Sequence, residues 1–182
     1  EKIVKNLDKG IARQKVTPER KVDTLDHITI SSNLQEAAAG AELIIEAIPE
    51  DLTLKRTVLQ QFDELTPEHT IFASNTSSIS IAEIATALSD PTRVLGAHFF
   101  NPVHIMQLLE VIYHDTTGVD VVDAIKGFGR RLGKEPIVVR NIPGFATSRL
   151  GVALGMEAIR MLEQGVATAD DIDKAMELGY RH

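Results

Sequence analysis

Apolar, β-branched runs alternate with helical stripes along most of this chain, and that alternation constrains the fold more than any other feature. Residues 43–48 (LIIEAI) read as a strand buried on both faces. Residues 51–65 follow as a helix with Leu54, Val58, Phe62 and Leu65 inward, and residues 70–74 as the next strand. Ser80 and Glu83 form a capping box ahead of the stripe Ile81, Ile84, Ala85 and Leu88, which Asp90-Pro91 stops. Residues 94–100 and 108–113 are two strands joined by the loop 101–107. That loop is too short for a crossover helix, so the two strands are expected to pair antiparallel. Thr117 and Asp120 suggest another cap, before Val121, Ile125, Phe128 and Leu132, with Gly133 as the stop. Residues 137–139 are the last strand. Earlier in the chain, residues 1–14 place Val4, Leu7 and Ile11 on one helical face, 28–30 read as a short strand, and Asn33 with Glu36 caps an Ala-rich helix.

After Pro143-Gly144 the strand signal ends. Residues 150–164 are helical and closed by Gly165, and Thr168 with Asp171 caps a further helix through Leu178. The reading is an α/β domain over 1–141, built on a mostly parallel sheet, and the start of a helical domain over 142–182.

Composition narrows the function classes. A net charge of −7 argues against non-specific nucleic-acid binding, which needs basic surface to release counterions. No apolar run approaches the ~20 residues of a membrane helix, so no membrane partner is expected. Cysteine is absent, which removes disulfides and thiolate metal sites and suits a cytoplasmic protein. His69, His104 and His114 have no metal-ligand spacing, so no metal is expected.

Three segments carry candidate chemistry. His98 sits near the end of an apolar strand (GAHFFNP), and Glu110 near the start of its neighbour (LLEVIY). A carboxylate on one imidazole nitrogen fixes the tautomer and makes the other nitrogen more basic, which suits a general base. A structural buried ion pair is an equally good reading of that spacing. Residues 74–78 (SNTSS) follow a strand and precede a cap, where open α/β sheets gather ligands; taken alone, a plain strand-to-helix turn is the better reading of them. Glu50 could bind ribose hydroxyls, but a carboxylate that begins a helix and suits its dipole is the more common reading. Gly127-Phe128-Gly129 imitates a nucleotide loop but lies at a helix end, and no G-x-G-x-x-G stands in the sequence.

Taken together, SNTSS, HFFNP, LLEV and PGF resemble the 3-hydroxyacyl-CoA dehydrogenases of fatty-acid oxidation and butanoate metabolism. The likeness extends over nearly the whole chain, and LIIEAIPEDLTLK fits the family's cofactor-contacting segment. The resemblance implies a Rossmann-like NAD-binding domain followed by an all-helical dimerisation domain. It implies oxidation of an L-3-hydroxyacyl-CoA to the ketone, with NAD as hydride acceptor and NADP still open. It assigns His98 as general base, Glu110 as its orienting partner, Ser77 as a contact to the substrate oxygen, and Asn101 to the same site. Glu50 and Lys55 would contact the cofactor, with Ser77 and Asn101 beside it. Lys55, Asn6 and Arg13 would reach coenzyme A. A homodimer is expected.

The sequence departs from the family twice. Ser148 stands where an asparagine is usual, offering one hydroxyl in place of an amide. The glycine fingerprint of a Rossmann unit would lie upstream of Glu1, and the helical domain stops early, so this chain alone is expected to be a fragment that binds NAD poorly and is inactive. Two alternatives stand beside the leading reading. One is a non-catalytic fragment or crystallin-like relative. The other is a superfamily dehydrogenase acting on a non-CoA hydroxy acid, against which the His98–Glu110 pair speaks.

Overall fold

The computed structural model describes residues 1–180 and divides into two compact units, Glu1–Ala37 and the remainder from Ala38. The first holds α1 (Lys2–Ala12) and α2 (Pro18–Asp26). The reading of residues 1–14 as a helix holds, with its end two residues earlier. The α2 helix was not anticipated, although Thr17-Pro18 announces it. The Thr17 hydroxyl accepts from the Arg20 amide, and proline stands at the first helical position. The strand expected at 28–30 does not form. Ile30 is 92% exposed, and three residues without a partner strand leave their backbone groups to water. Asn33 does cap α3 (Leu34–Ala38), accepting from the Gln35 amide, but Glu36 turns to the Ser31 hydroxyl instead of closing a capping box.

The second unit is a five-stranded sheet in the order β1 (Leu43–Glu46), β2 (Ile71–Ser74), β3 (Val94–Phe99), β4 (Leu108–Tyr113), β5 (Glu135–Arg140). β1, β2 and β3 are parallel, β4 is antiparallel to β3, and β5 is parallel to β4. The short 101–107 connection therefore produces the antiparallel pair expected of it. Helices α4 (Leu52–Asp63), α5 (Ile81–Ala85) and α6 (Val119–Arg131) fill the crossovers.

Side chains alternate between the two faces of each strand. Phe72, Val94 and Ile112 pack with Leu59 of α4, Ile81 and Ile84 of α5, and Phe145. Ala73, Leu95 and Val111 pack with Val121 and Ile125 of α6 on the opposite face. Gly129 of α6 is a close-approach glycine: a Cβ there would stand 2.7 Å from a Leu109 methyl, so its absence lets the helix lie against β4. That confirms the rejection of this segment as a nucleotide loop.

Three local expectations need correction. α6 is capped at Gly118 and not by Thr117, whose hydroxyl donates to the Val94 carbonyl. Phe62 packs against the core as read, together with Leu52, but the fully buried residues of α4 are Lys55 and Leu59, while Leu54 is 41% exposed; Lys55 takes its inward place opposite the buried β1 carboxylate Glu46. α7 (Thr147–Glu163) starts three residues earlier than its apolar stripe suggested. The Ser80 and Thr168 caps form as read, the latter starting α8 (Ala169–Lys174), which runs into a π-helical turn over Ala175–Tyr180.

Candidate active site

β3 and β4 are paired so that His98 stands directly opposite Glu110. Alternation puts both on the sheet face that carries Ile112 and Phe145. His98 Nδ1 lies 2.7 Å from Glu110 Oε2. The Glu110 side chain is fully buried, and that of His98 is 10% exposed. A carboxylate at such depth persists as an anion only if its oxygens are satisfied. Glu110 Oε1 accepts from the amides of Ala146 (3.1 Å) and Thr147 (2.9 Å), and Oε2 also accepts from the Thr147 hydroxyl (3.0 Å). Burial works against the charge. The hydrogen bonds from His98, Thr147 and Ala146 outweigh it and hold the Glu110 carboxyl below its ordinary value. An ionised Glu110 takes the Nδ1 proton as its donor, so neutral His98 carries its free lone pair on Nε2. That nitrogen has no hydrogen-bond partner among the described residues. The rings of Phe100 (4.4 Å between centroids) and Phe145 (6.1 Å) wall the imidazole.

The Pro143-Gly144-Phe145 turn delivers the amides that Glu110 needs. Gly144 (φ +80°) and Phe145 (φ +48°) are successive left-handed residues. For a bulky residue that conformation is uncommon and costs about 1–3 kcal/mol, here offset by burying the Phe145 ring and by the hydrogen bonds at the start of α7. The same first turn of α7 reaches the other candidate segment. The Ser148 hydroxyl donates to the Ser77 carbonyl at 3.5 Å, and Ser77, Ser78, Gly144, Ser148 and Arg149 line a depression of about 490 Å³.

Ser77 lies beyond the carboxyl end of β2 with its hydroxyl exposed and without a protein partner among the described residues. Its backbone is held by Glu50, in the connection between β1 and α4. Glu50 Oε1 accepts from the Thr76 hydroxyl, from the Ser77 and Ser78 amides (3.2 Å each) and from the Ser78 hydroxyl (3.0 Å). Burial raises the Glu50 carboxyl, but these hydrogen bonds and the Lys55 ammonium overcome it and bring it down to about 2. Asn75 ties the same turn to β3, its Oδ1 accepting from the Phe99 amide at 2.8 Å.

Lys55, which the resemblance gives as a contact to cofactor or coenzyme A, faces protein oxygens in this structure. Its side chain is 1% exposed, and its three protons face Glu46 Oε1 (2.7 Å), the Ile48 carbonyl (3.1 Å) and Glu50 Oε2 (3.2 Å). Asn101 is exposed at the head of the loop between β3 and β4, and Lys134 holds that loop by donating to the carbonyls of Val103 and Met106. Asn6 belongs to the first unit, on α1, and Arg13 is that helix's C-cap. Thr147 was missed because the helix was taken to start at Leu150. A threonine just after PGF, ahead of an apolar stripe, is the signal that would have found it. Among the described residues no group of three or more His, Asp or Glu is placed to hold a metal ion.

Two family models match the chain: "3-hydroxyacyl-CoA dehydrogenase, NAD binding domain" over residues 1–142 and "3-hydroxyacyl-CoA dehydrogenase, C-terminal domain" over 144–182. The chain belongs to the 3-hydroxyacyl-CoA dehydrogenase family. It is 39% identical over 178 residues to 3-hydroxybutyryl-CoA dehydrogenase of Clostridioides difficile, covering 98% of this chain and 63% of that protein. It is 43% identical over 156 residues to the human mitochondrial hydroxyacyl-coenzyme A dehydrogenase, covering 86% and 50%. The crystal structure of (S)-3-hydroxybutyryl-CoA dehydrogenase PaaH1 from Ralstonia eutropha superposes with a TM-score of 0.91 at 38% identity, over 98% of this chain and 62% of that one. The chain thus spans about half to two-thirds of the length of these relatives.

A nicotinamide dinucleotide presents hydroxyls, an amide and a ring to its site. The donor set here fits such a group. Among the described residues the polar side chains of Ser77 and Asn101 are uncommitted, and the ionised Glu50, 38% exposed, can accept from a hydroxyl.

Proposed function

We propose that the protein containing this chain oxidises the 3-hydroxyl of an L-3-hydroxyacyl-CoA, with His98 as general base. The observation that carries this reading is the His98–Glu110 pair, a buried ionised carboxylate on Nδ1 with Nε2 left free. The Nε2 lone pair takes the hydroxyl proton. The resulting imidazolium keeps its Nδ1–H on Glu110, whose charge is fixed by the α7 amides and so is already in place when the proton arrives. Ser77 donates its hydroxyl to the substrate oxygen. Asn101 and Ser148 stand with it as substrate contacts, and Glu50 holds the cofactor side. Hydride acceptance is the chemistry that NAD supplies when bound.

This reading places the protein in fatty-acid β-oxidation or butanoate metabolism, in the cytoplasm, as a homodimer. Leu150, Val152, Leu154 and Ile159 of α7 are exposed, which supports a further apolar interface. No helix among the described residues is long and apolar enough to cross a membrane.

The test is NADH absorbance with 3-hydroxybutyryl-CoA on the full-length protein and its His98→Ala variant. Turnover that falls by about 10²–10⁴-fold in the variant supports the assignment. Parental turnover in the variant would remove His98 as the base. No turnover in the parent on any 3-hydroxyacyl-CoA would remove the substrate class.

A further inference from the structure

We infer that Lys55 is a positioning residue: its buried ammonium ties Glu46 to Glu50 and, through Glu50, sets the turn that presents Ser77. The inference rests on the reading of Ser77 as a substrate contact. A lysine is almost never fully buried without partners, and a core position on α4 beside Leu59 would accept an aliphatic residue. What the ammonium adds is a link between three separate backbone points. Its acceptors are Glu46 at the end of β1, the Ile48 carbonyl in the connection, and Glu50 just ahead of α4.

Each carboxylate then uses its other oxygen toward the last residue of β2 or the turn that follows it. Glu46 Oε2 accepts from the Ser74 hydroxyl at 2.6 Å, and Glu50 Oε1 gathers Thr76, Ser77 and Ser78. Glu46 and Glu50 are thus two struts between Lys55 and residues 74–78. Without the cation, two carboxylates would face one another in a site where the Glu46 side chain is 1% exposed, and like charges at that depth cannot both stay in place. All three Lys55 protons face protein oxygens, and the two struts carry its influence to the Ser77 turn.

The test compares the full-length protein with Lys55→Met, with Lys55→Met combined with Glu46→Gln, and with Glu50→Gln. Three quantities are read: melting temperature, amide hydrogen exchange at Ser77 and Ser78, and the kinetics with 3-hydroxybutyryl-CoA. Lys55→Met alone should lower the melting temperature, because it strands the Glu46 charge. Removing that charge in the double variant should recover most of the loss. The Ser77 and Ser78 amides should nevertheless exchange about tenfold faster in the double variant, with kcat reduced more than KM. Glu50→Gln, which cuts one strut and leaves the Lys55–Glu46 pair intact, should raise the same exchange. Parental exchange and kcat in the double variant would overturn the inference and leave Lys55 a structural partner of Glu46. Weaker NAD binding with unchanged exchange would overturn it in favour of direct ligand contact. If the double variant does not fold, unchanged exchange in Glu50→Gln overturns it and faster exchange sustains it. A parent that turns over no 3-hydroxyacyl-CoA defeats the functional reading alone, since the exchange measurement still decides the positioning.

Discussion

Two carboxylate–base pairs sit in this sheet with the same contact distance and opposite characters. His98–Glu110 and Lys55–Glu46 are each 2.7 Å apart, and both carboxylates are essentially inaccessible. The Lys55 ammonium spends all three protons on protein oxygens. His98 spends one nitrogen on Glu110 and keeps the other. A buried pair whose members are both saturated braces, whereas one whose 10%-exposed imidazole keeps an unpartnered nitrogen among the described residues can exchange a proton with something that arrives. Distance and burial alone would not separate the two. The count of remaining donors and acceptors does.

Breaking each pair should therefore give opposite signatures. His98→Ala should abolish turnover with little change in melting temperature. Lys55→Met should lose about 3–5 kcal/mol of stability by leaving Glu46 buried and unpaired, measured by urea unfolding. If the two variants showed the same balance of lost activity and lost stability, the distinction would fail.

Glu110→Gln asks whether the negative charge matters or only the acceptor. Turnover should fall by about 10–10²-fold, because a neutral amide no longer stabilises the imidazolium; a parental rate would mean that Glu110 only orients the ring. Thr147→Val is the milder cut. It removes one hydroxyl from Glu110 Oε2 and keeps the amide bond to Oε1, so a loss of about 1 kcal/mol and a few-fold drop in kcat are expected. A larger stability loss than in Glu110→Gln would show that Thr147 does something else.

Acid provides the smallest effect. The Glu50 carboxyl is depressed from 4.5 to about 2 in the folded protein, so its contribution is fully present above about pH 4.5 and is lost as pH falls toward 2. Discounted for its 38% exposure, it amounts to about 1 kcal/mol. Over that window Glu50→Gln should lose stability less steeply than the parent in circular-dichroism titrations. An identical slope would mean that the Ser77 turn does not depend on the charge.

The antiparallel partnership of β3 and β4 was legible, because seven residues cannot hold a crossover helix, and so the opposition of His98 and Glu110 followed. The Ser80 cap and the Gly133 stop were legible for the same local reason. The cap at Gly118 and the start of α7 at Thr147 were not. Thr117 and Asp120 have the cap spacing, but the Thr117 hydroxyl is drawn to Val94, and Thr147 belongs to α7 because Glu110 holds its amide. Residues 28–30 have the composition of a strand but no neighbour to pair with.

What the sequence determined by itself was what acts over a few residues: the βα alternation, the strand pair, the turns marked by glycine and proline, and the residue types that chemistry requires. The tertiary structure decided which of those residues are free to act. Lys55 and His98 are both basic residues whose acidic partners lie 9 and 12 positions away in the sequence. Only the packing of α4 against β1, and of the α7 amides against Glu110, consumes every proton of one and leaves a lone pair on the other. That outcome depends on groups 9 to 37 residues apart meeting at hydrogen-bond distance, and no local pattern encodes such a meeting.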